Sequence, residues 1–146
     1  MQKIFLSPSD IKQGLVLYVS FPLIAKGIPH YWIILNETYS IGEEVIYIIA
    51  SSQIESAQEW CRRRKALVST DSLVILLEED ESVLTKDTVF NCHQVKTIEL
   101  NKMNKLDFQL IGQAKITTIE WLKNAIKTSE IVEQELKKRL NLSTNK

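Results

Sequence analysis

Net charge is missing from this chain. Its 18 basic residues meet 18 acidic ones, so no whole-molecule field steers it toward a polyanion, and any such site must be a local cluster. Cysteine is scarce. Cys61 and Cys92 are the only two; they belong to no paired motif, which argues against a disulfide framework or zinc and leaves reduced thiols as the simplest reading. No apolar run approaches the roughly 18 residues that span a bilayer. The stretch Met1-Gln2-Lys3-Ile4-Phe5-Leu6 is too short for a leader, with Asp10 and Lys12 close behind. A cytoplasmic protein with no membrane segment is expected. Histidine is equally rare, with only His30 and His93, and it is the one side chain whose ordinary pKa lies near neutrality.

What is present describes an ordinary domain. At 146 residues, 45% hydrophobic and 25% charged, the chain is long enough for a real core and too apolar for disorder. A single domain over 1–142 is expected, with 143–146 as a frayed tail. Leu15 to Phe21 is rich in β-formers and ends at Pro22. A loop through Ala25-Lys26-Gly27 leads to a second strand, Tyr31 to Leu35. The polar Asn36 to Gly42 segment reads as a hairpin connection, and Val45 to Ala50, apolar throughout, reads as a central strand. Ser51 to Arg64 lacks strand pattern and reads as loop. Shorter strands are expected at Ala66–Val68, Leu73–Leu77, Val89–Cys92, Val95–Ile98 and Leu106–Gly112, and the acidic run Glu78-Glu79-Asp80-Glu81 reads as a solvated turn. Thr117 with Glu120 fits a capping box opening a terminal helix that carries Ile119, Leu122, Ile126, Val132, Leu136 and Leu140, with a break near Thr128-Ser129. Trp121 on that helix is expected to pack inward. The pattern predicts a mostly β fold with a C-terminal helix, a small antiparallel barrel.

Three segments carry a family likeness. Ile48-Ile49-Ala50-Ser51-Ser52-Gln53-Ile54, the apolar strand before it, and above all Thr85 to Glu99 with its Gln94-Val95-Lys96-Thr97-Ile98-Glu99 core together resemble the PemK/MazF toxins of type II toxin–antitoxin systems. The last segment matches their basic-Asp-Ser turn, apolar strand and Gln-x-Arg-Thr-Ile-Asp sequence, with Lys for Arg and Glu for Asp. The likeness continues through Leu106 to Leu140 and so covers most of the chain in order. It implies an SH3-like small antiparallel β-barrel (PemK/MazF/CcdB-like), commonly a homodimer. The implied activity is metal-independent cleavage of single-stranded RNA through the neighbouring 2′-hydroxyl, with no cofactor, silenced by a cognate antitoxin protein.

The site residues follow from that frame. His30 stands where many members have an arginine, and Ser51 matches their hydroxyl after the third strand, with Ser52 beside it. Asn91-Cys92-His93-Gln94 stands where one branch has Arg-Cys-Asp-Gln, so Asn91 replaces an arginine and His93 an aspartate. These losses remove the donors best suited to bidentate phosphate binding. Two imidazoles could instead share acid–base work around one scissile bond. His30, His93 and Ser51 are therefore the catalytic candidates. Ser52, Trp60, Arg62, Arg63, Arg64 and Asn91 are the RNA-binding ones, with arginines for phosphates and Trp60 for base stacking. Against this stand blander readings: a strand histidine bonded to a carbonyl at position 30, a solvent-facing one at 93, a solvated basic loop or docking surface for an acidic partner, and core packing for Trp32. A non-cleaving RNA- or protein-binding module of the same fold is the alternative function. A gyrase-blocking barrel toxin is a remoter third.

Overall fold

The architecture is that of a computed structural model that describes residues 4–20, 30–77, 80–81 and 86–142. In chain order the elements are β1 (Leu15–Ser20), β2 (His30–Ile34), β3 (Glu44–Ser51), α1 (Ile54–Arg62), β4 (Leu73–Leu76), β5 (Thr88–Asn91), β6 (Lys96–Glu99), α2 (Leu100–Met103), β7 (Asp107–Gln113), α3 (Ile116–Thr128) and α4 (Gln134–Arg139). The strands form one antiparallel seven-stranded sheet in the order β4-β5-β3-β2-β1-β7, with β6 also on β3. The sheet is open: among the described residues β4 and β7 form its two outer edges and do not pair with each other. Loop residues 21–29, Glu78, Glu79, Thr85 and the 143–146 tail lie outside the described residues.

β3 is the hub because its sequence, Glu-Val-Ile-Tyr-Ile-Ile-Ala-Ser, leaves no polar face. Successive side chains point to opposite sides of a sheet, so an unbroken apolar run must be covered on both. One edge of β3 pairs with β2, from Tyr31↔Ala50 to Ile34↔Tyr47. The other edge is shared. Its end pairs with β5 through Ala50↔Phe90 and Ser51↔Val89, and its start with β6 from Glu44↔Glu99 to Tyr47↔Lys96. Between these ladders the chain leaves the sheet at Cys92-His93 and returns.

Two cores lie on the two faces. On one, Val16, Ile33, Ile46, Ile48, Ala50, Phe90 and Cys92 meet Ile119, Leu122, Ala125 and Ile126 of α3 and Leu140 beyond α4. On the other, Leu17, Val19, Trp32, Ile34, Val45 and Tyr47 pack with Leu6, Ile11 and Met103. Trp32 is fully buried and stacks on Tyr47 with centroids 3.8 Å apart, so its role is packing and not base stacking. The break near Thr128-Ser129 separates α3 from α4 as expected. Buried Lys137 secures it by donating from Nζ to the carbonyls of Lys127 and Ser129 at 3.0 and 2.7 Å, a cation at the negative end of α3.

Several expectations are corrected. Ser51 to Arg64 is not loop throughout: most of it is α1. Ala66–Val68 is turn and coil, not strand. The Thr117 capping box does not form, because α3 starts at Ile116 with Lys115 as its N-cap and no side-chain cap bond from that residue. Glu81 does the capping from afar. Instead of facing solvent it is 0% exposed, and its Oε1 accepts from the Lys115 N–H at 2.8 Å and the Thr118 hydroxyl at 2.6 Å. A carboxylate at a helix start is favoured by the helix dipole. Trp121 is 50% exposed and does not pack inward.

Glu81→Ala should therefore cost about 1–3 kcal/mol, since it leaves the buried Thr118 hydroxyl and the Lys115 N–H without their acceptor. Urea unfolding checks this, and a loss no larger than that of an exposed Glu→Ala control such as Glu120→Ala would contradict the capping role.

Candidate nucleic-acid interface

β3 hands the chain to α1 through a short turn in which the Ser51 hydroxyl accepts from the Gln53 N–H at 3.0 Å. This use of a serine to bond backbone two residues on is a common way to leave a strand. It also spends a lone pair of Ser51 Oγ and leaves its proton free to donate. α1 carries Glu55 in its first turn and Arg62 in its last, matching the dipole, and anchors itself through buried Cys61. Ile54, Ala57 and Cys61 fall on one helical face.

Under α1 lies a cleft of about 270 Å³. Ile49 and Val89 line it, and so does Trp60. Its polar side chains include Ser51, Asn91, Gln94 and Lys96. The pleat explains the grouping. Ile49 and Ser51 alternate on β3, Val89 and Asn91 alternate on β5, and Ser51 pairs with Val89, so all four share a face. His30, half-buried, opens β2 opposite Val19. Continuing the Tyr31↔Ala50 register by one step sets His30 beside Ser51 on that same face.

His93 does not join them. Its ring is 5% exposed, with Nε2 at 2.7 Å from the Ser69 carbonyl and Nδ1 at 2.6 Å from the Ser129 hydroxyl. A carbonyl can only accept, so Nε2 carries a proton. Ser129 Oγ already accepts from the Ile131 and Val132 N–H groups at 3.2 and 3.3 Å, so its own proton points to Nδ1. The ring is neutral and both nitrogens are spent. β3 also stands between the two histidines, two strand spacings or roughly 10 Å across the sheet. The expected relay of paired imidazoles is not assembled in this geometry, and the expected solvent-facing alternative for His93 is not met either.

The basic run lies at the end of α1 and is exposed. Arg62 and Arg63 both pair with Glu59. The Arg64 guanidinium sits 4.3 Å from the Trp60 ring centroid and donates to the Trp60 carbonyl at 3.0 Å. Trp60 also stacks on His93 at 5.8 Å. The tryptophan is thus held by two ring contacts while it lines the cleft, which makes it a wall before it is a stacking platform. Exposed ion pairs such as those of Glu59 are worth only about 0.2–1 kcal/mol, so a phosphate can displace them. Ser52 is exposed at the turn.

Sequence reading named Ser51, Trp60 and Asn91, which share the cleft, but missed Gln94 and Lys96 as site residues. Their alternation after Asn91 was the available signal. Nothing local pointed to Ser69 and Ser129 as the partners of His93, since they lie 24 and 36 positions away. Among the described residues no cluster of three or more His, Cys, Asp or Glu side chains is placed to hold a metal ion, and no helix is long and apolar enough to cross a membrane. No family model matches the chain, and no curated protein matches it.

Two measurements test this account. His93→Ala should cost about 2–4 kcal/mol, because it strands the Ser69 carbonyl and the Ser129 hydroxyl; a loss below about 1 kcal/mol in urea would show that the ring is not a structural tie. Cys61 and Cys92 are both free and buried, and burial pushes both thiols up, which disfavours the reactive thiolate. Iodoacetamide at neutral pH should leave the native protein unmodified by mass spectrometry and add two adducts in urea.

Proposed function

We propose that this chain is a PemK/MazF-like endoribonuclease toxin acting on single-stranded RNA, with His30 as its one proton-transfer side chain. The observation that supports it most is the cleft, where Ser51, Trp60 and Asn91 come from three separate elements to one wall system beside Lys96. In this reading the 2′-hydroxyl gives its proton to His30 and attacks the adjacent phosphorus. The P–O5′ bond breaks, the departing oxygen takes a proton from solvent water, His30 returns its proton to solvent, and a 2′,3′-cyclic phosphate and a 5′-hydroxyl remain. The substrate supplies the nucleophile, so the chemistry calls for no metal or other cofactor. Ser51 donates to a phosphorane oxygen, and Arg62, Arg63 and Arg64, with Ser52, hold the flanking backbone.

The finer fold belongs to the same reading. A central strand that pairs with one neighbour along one edge and two along the other suits an SH3-like barrel, and such a toxin would work in the cytoplasm as a homodimer under the control of a cognate antitoxin. One observation favours a second reading, a non-cleaving RNA-binding module of this fold: His93 is spent on structure, and among the described residues no arginine lines the cleft.

Incubation with single-stranded RNAs of varied sequence separates the two. Cleavage to cyclic-phosphate ends, lowered about 10²–10⁴-fold by His30→Ala with RNA binding retained, is the expected outcome. Binding without cyclic-phosphate ends would replace the nuclease by the binding module, and absence of both binding and cleavage would remove RNA from the account.

A further inference from the structure

We infer that the cleft beneath α1 is a nucleobase subsite that accepts the keto edge of uracil (O4) or guanine (O6 and N7) and disfavours adenine and cytosine, which carry an amine at that position. The inference rests on the RNA reading above and adds to it the base class.

Size limits the occupant first. At about 270 Å³ the cleft falls just below the roughly 300–1,000 Å³ of sites for drug-sized ligands, and it has apolar surface in Ile49 and Val89 and an indole in Trp60. That combination suits one flat ring inserted edge-first toward polar groups.

Polarity then selects the ring. The Asn91 Oδ1 accepts from the His93 N–H at 3.1 Å, closing a turn at the point where the chain leaves β5. That bond fixes which end of the amide is committed, so the Nδ2 group, which only donates, is the end left for a ligand. Lys96 brings an ammonium, which also only donates. Gln94 and Gln53 can present either polarity, and among the described residues no aspartate or glutamate lines the cleft. Two donors, the Asn91 amide and the Lys96 ammonium, with no carboxylate beside them ask for a base edge of acceptors. Uracil offers O2 and O4, and guanine offers O6 and N7. Adenine and cytosine would bring an amine against Asn91 and Lys96 and set donors facing donors, an arrangement that discriminates against them.

The test uses short single-stranded RNAs of about ten nucleotides built from A and C, carrying one U, one G or neither. 2′-O-methyl riboses prevent cleavage, and affinity is read by fluorescence anisotropy. The U or G RNA should bind at least about tenfold more tightly than the A/C-only RNA, and the two arms identify the preferred keto base. Asn91→Asp retains an acceptor for the His93 N–H but presents an acceptor to the cleft, so it should bring that ratio within about twofold. Lys96→Gln, on an exposed strand position, should reduce the ratio as well and serves if Asn91→Asp folds poorly. Equal binding of all RNAs, or a ratio unchanged in both variants, overturns the subsite while leaving RNA binding intact. Failure to bind any of these RNAs or a mixed-sequence RNA overturns the subsite together with the RNA reading itself.

Discussion

The two-sided burial of β3 is the constraint on which the other features depend. A strand that is apolar on both faces needs a layer over each and partners along both edges. Here the helices α3 and α4 cover one face, and the N-terminal segment with α2 covers much of the other. No single strand fills its second edge. β5 takes one end and β6 the other, and the chain between them is forced out of the sheet opposite Ile48 and Ile49. The cleft sits at that seam, with Ile49 in its lining. The place where the ladder changes partners is therefore the place where side chains from β3, β5 and β6 can converge without filling the space between them.

His93 shows what the seam demands in return. A turn pushed out between two ladders has backbone and side chains that need new partners, and the imidazole finds them in both layers at once. It reaches Ser69 after α1, Ser129 at the α3–α4 elbow, and the face of Trp60. A neutral, fully bonded imidazole avoids the penalty of a buried unpaired group. The same residue type at the same sequence position could serve catalysis or architecture, and only its two acceptor and donor partners decide between them. By holding Trp60 against the cleft, His93 still acts on the site, as a positioning residue.

The sequence was legible wherever one short-range pattern sufficed. The apolar runs marked β1, β2 and β3 to within a residue or so, since strand burial follows directly from composition at period two. α1 was missed although Ile54, Ala57 and Cys61 are spaced for a helical face, because arginines and polar residues outweigh three small apolar contacts. The start of α3 was misread because the helix begins one residue before Thr117, and its entry is secured by Glu81, 34 positions from Lys115, which accepts from the Lys115 N–H and the Thr118 hydroxyl. Trp121 misled for the opposite reason: aromatic character raises the odds of burial but does not fix which helical face meets the sheet. Of the candidate site, Ser51, Trp60 and Asn91 came together as a set, whereas the pairing of His30 with His93 did not. That pairing required a fact about β3 lying between them, which no spacing along the chain encodes.

Charge decides what kind of recognition such a site can perform. With no net charge and with Arg62 and Arg63 already facing Glu59, long-range attraction to a phosphate backbone is weak, and contact must be made before it is strengthened. The nearest counterion is a carboxylate on the same helix, so each phosphate that docks on the arginines first displaces Glu59. A large share of any free energy of selective binding must then come from groups that act only at contact distance. In the proposed subsite those groups are the Asn91 amide, whose polarity the His93 N–H fixes, and the Lys96 ammonium, which only donates. A neutral protein with the proposed donor-lined subsite would discriminate by what it leaves unsatisfied when the wrong edge enters. The same β3 seam that withdrew His93 from chemistry fixes, through the His93 N–H, the polarity of Asn91 at its rim.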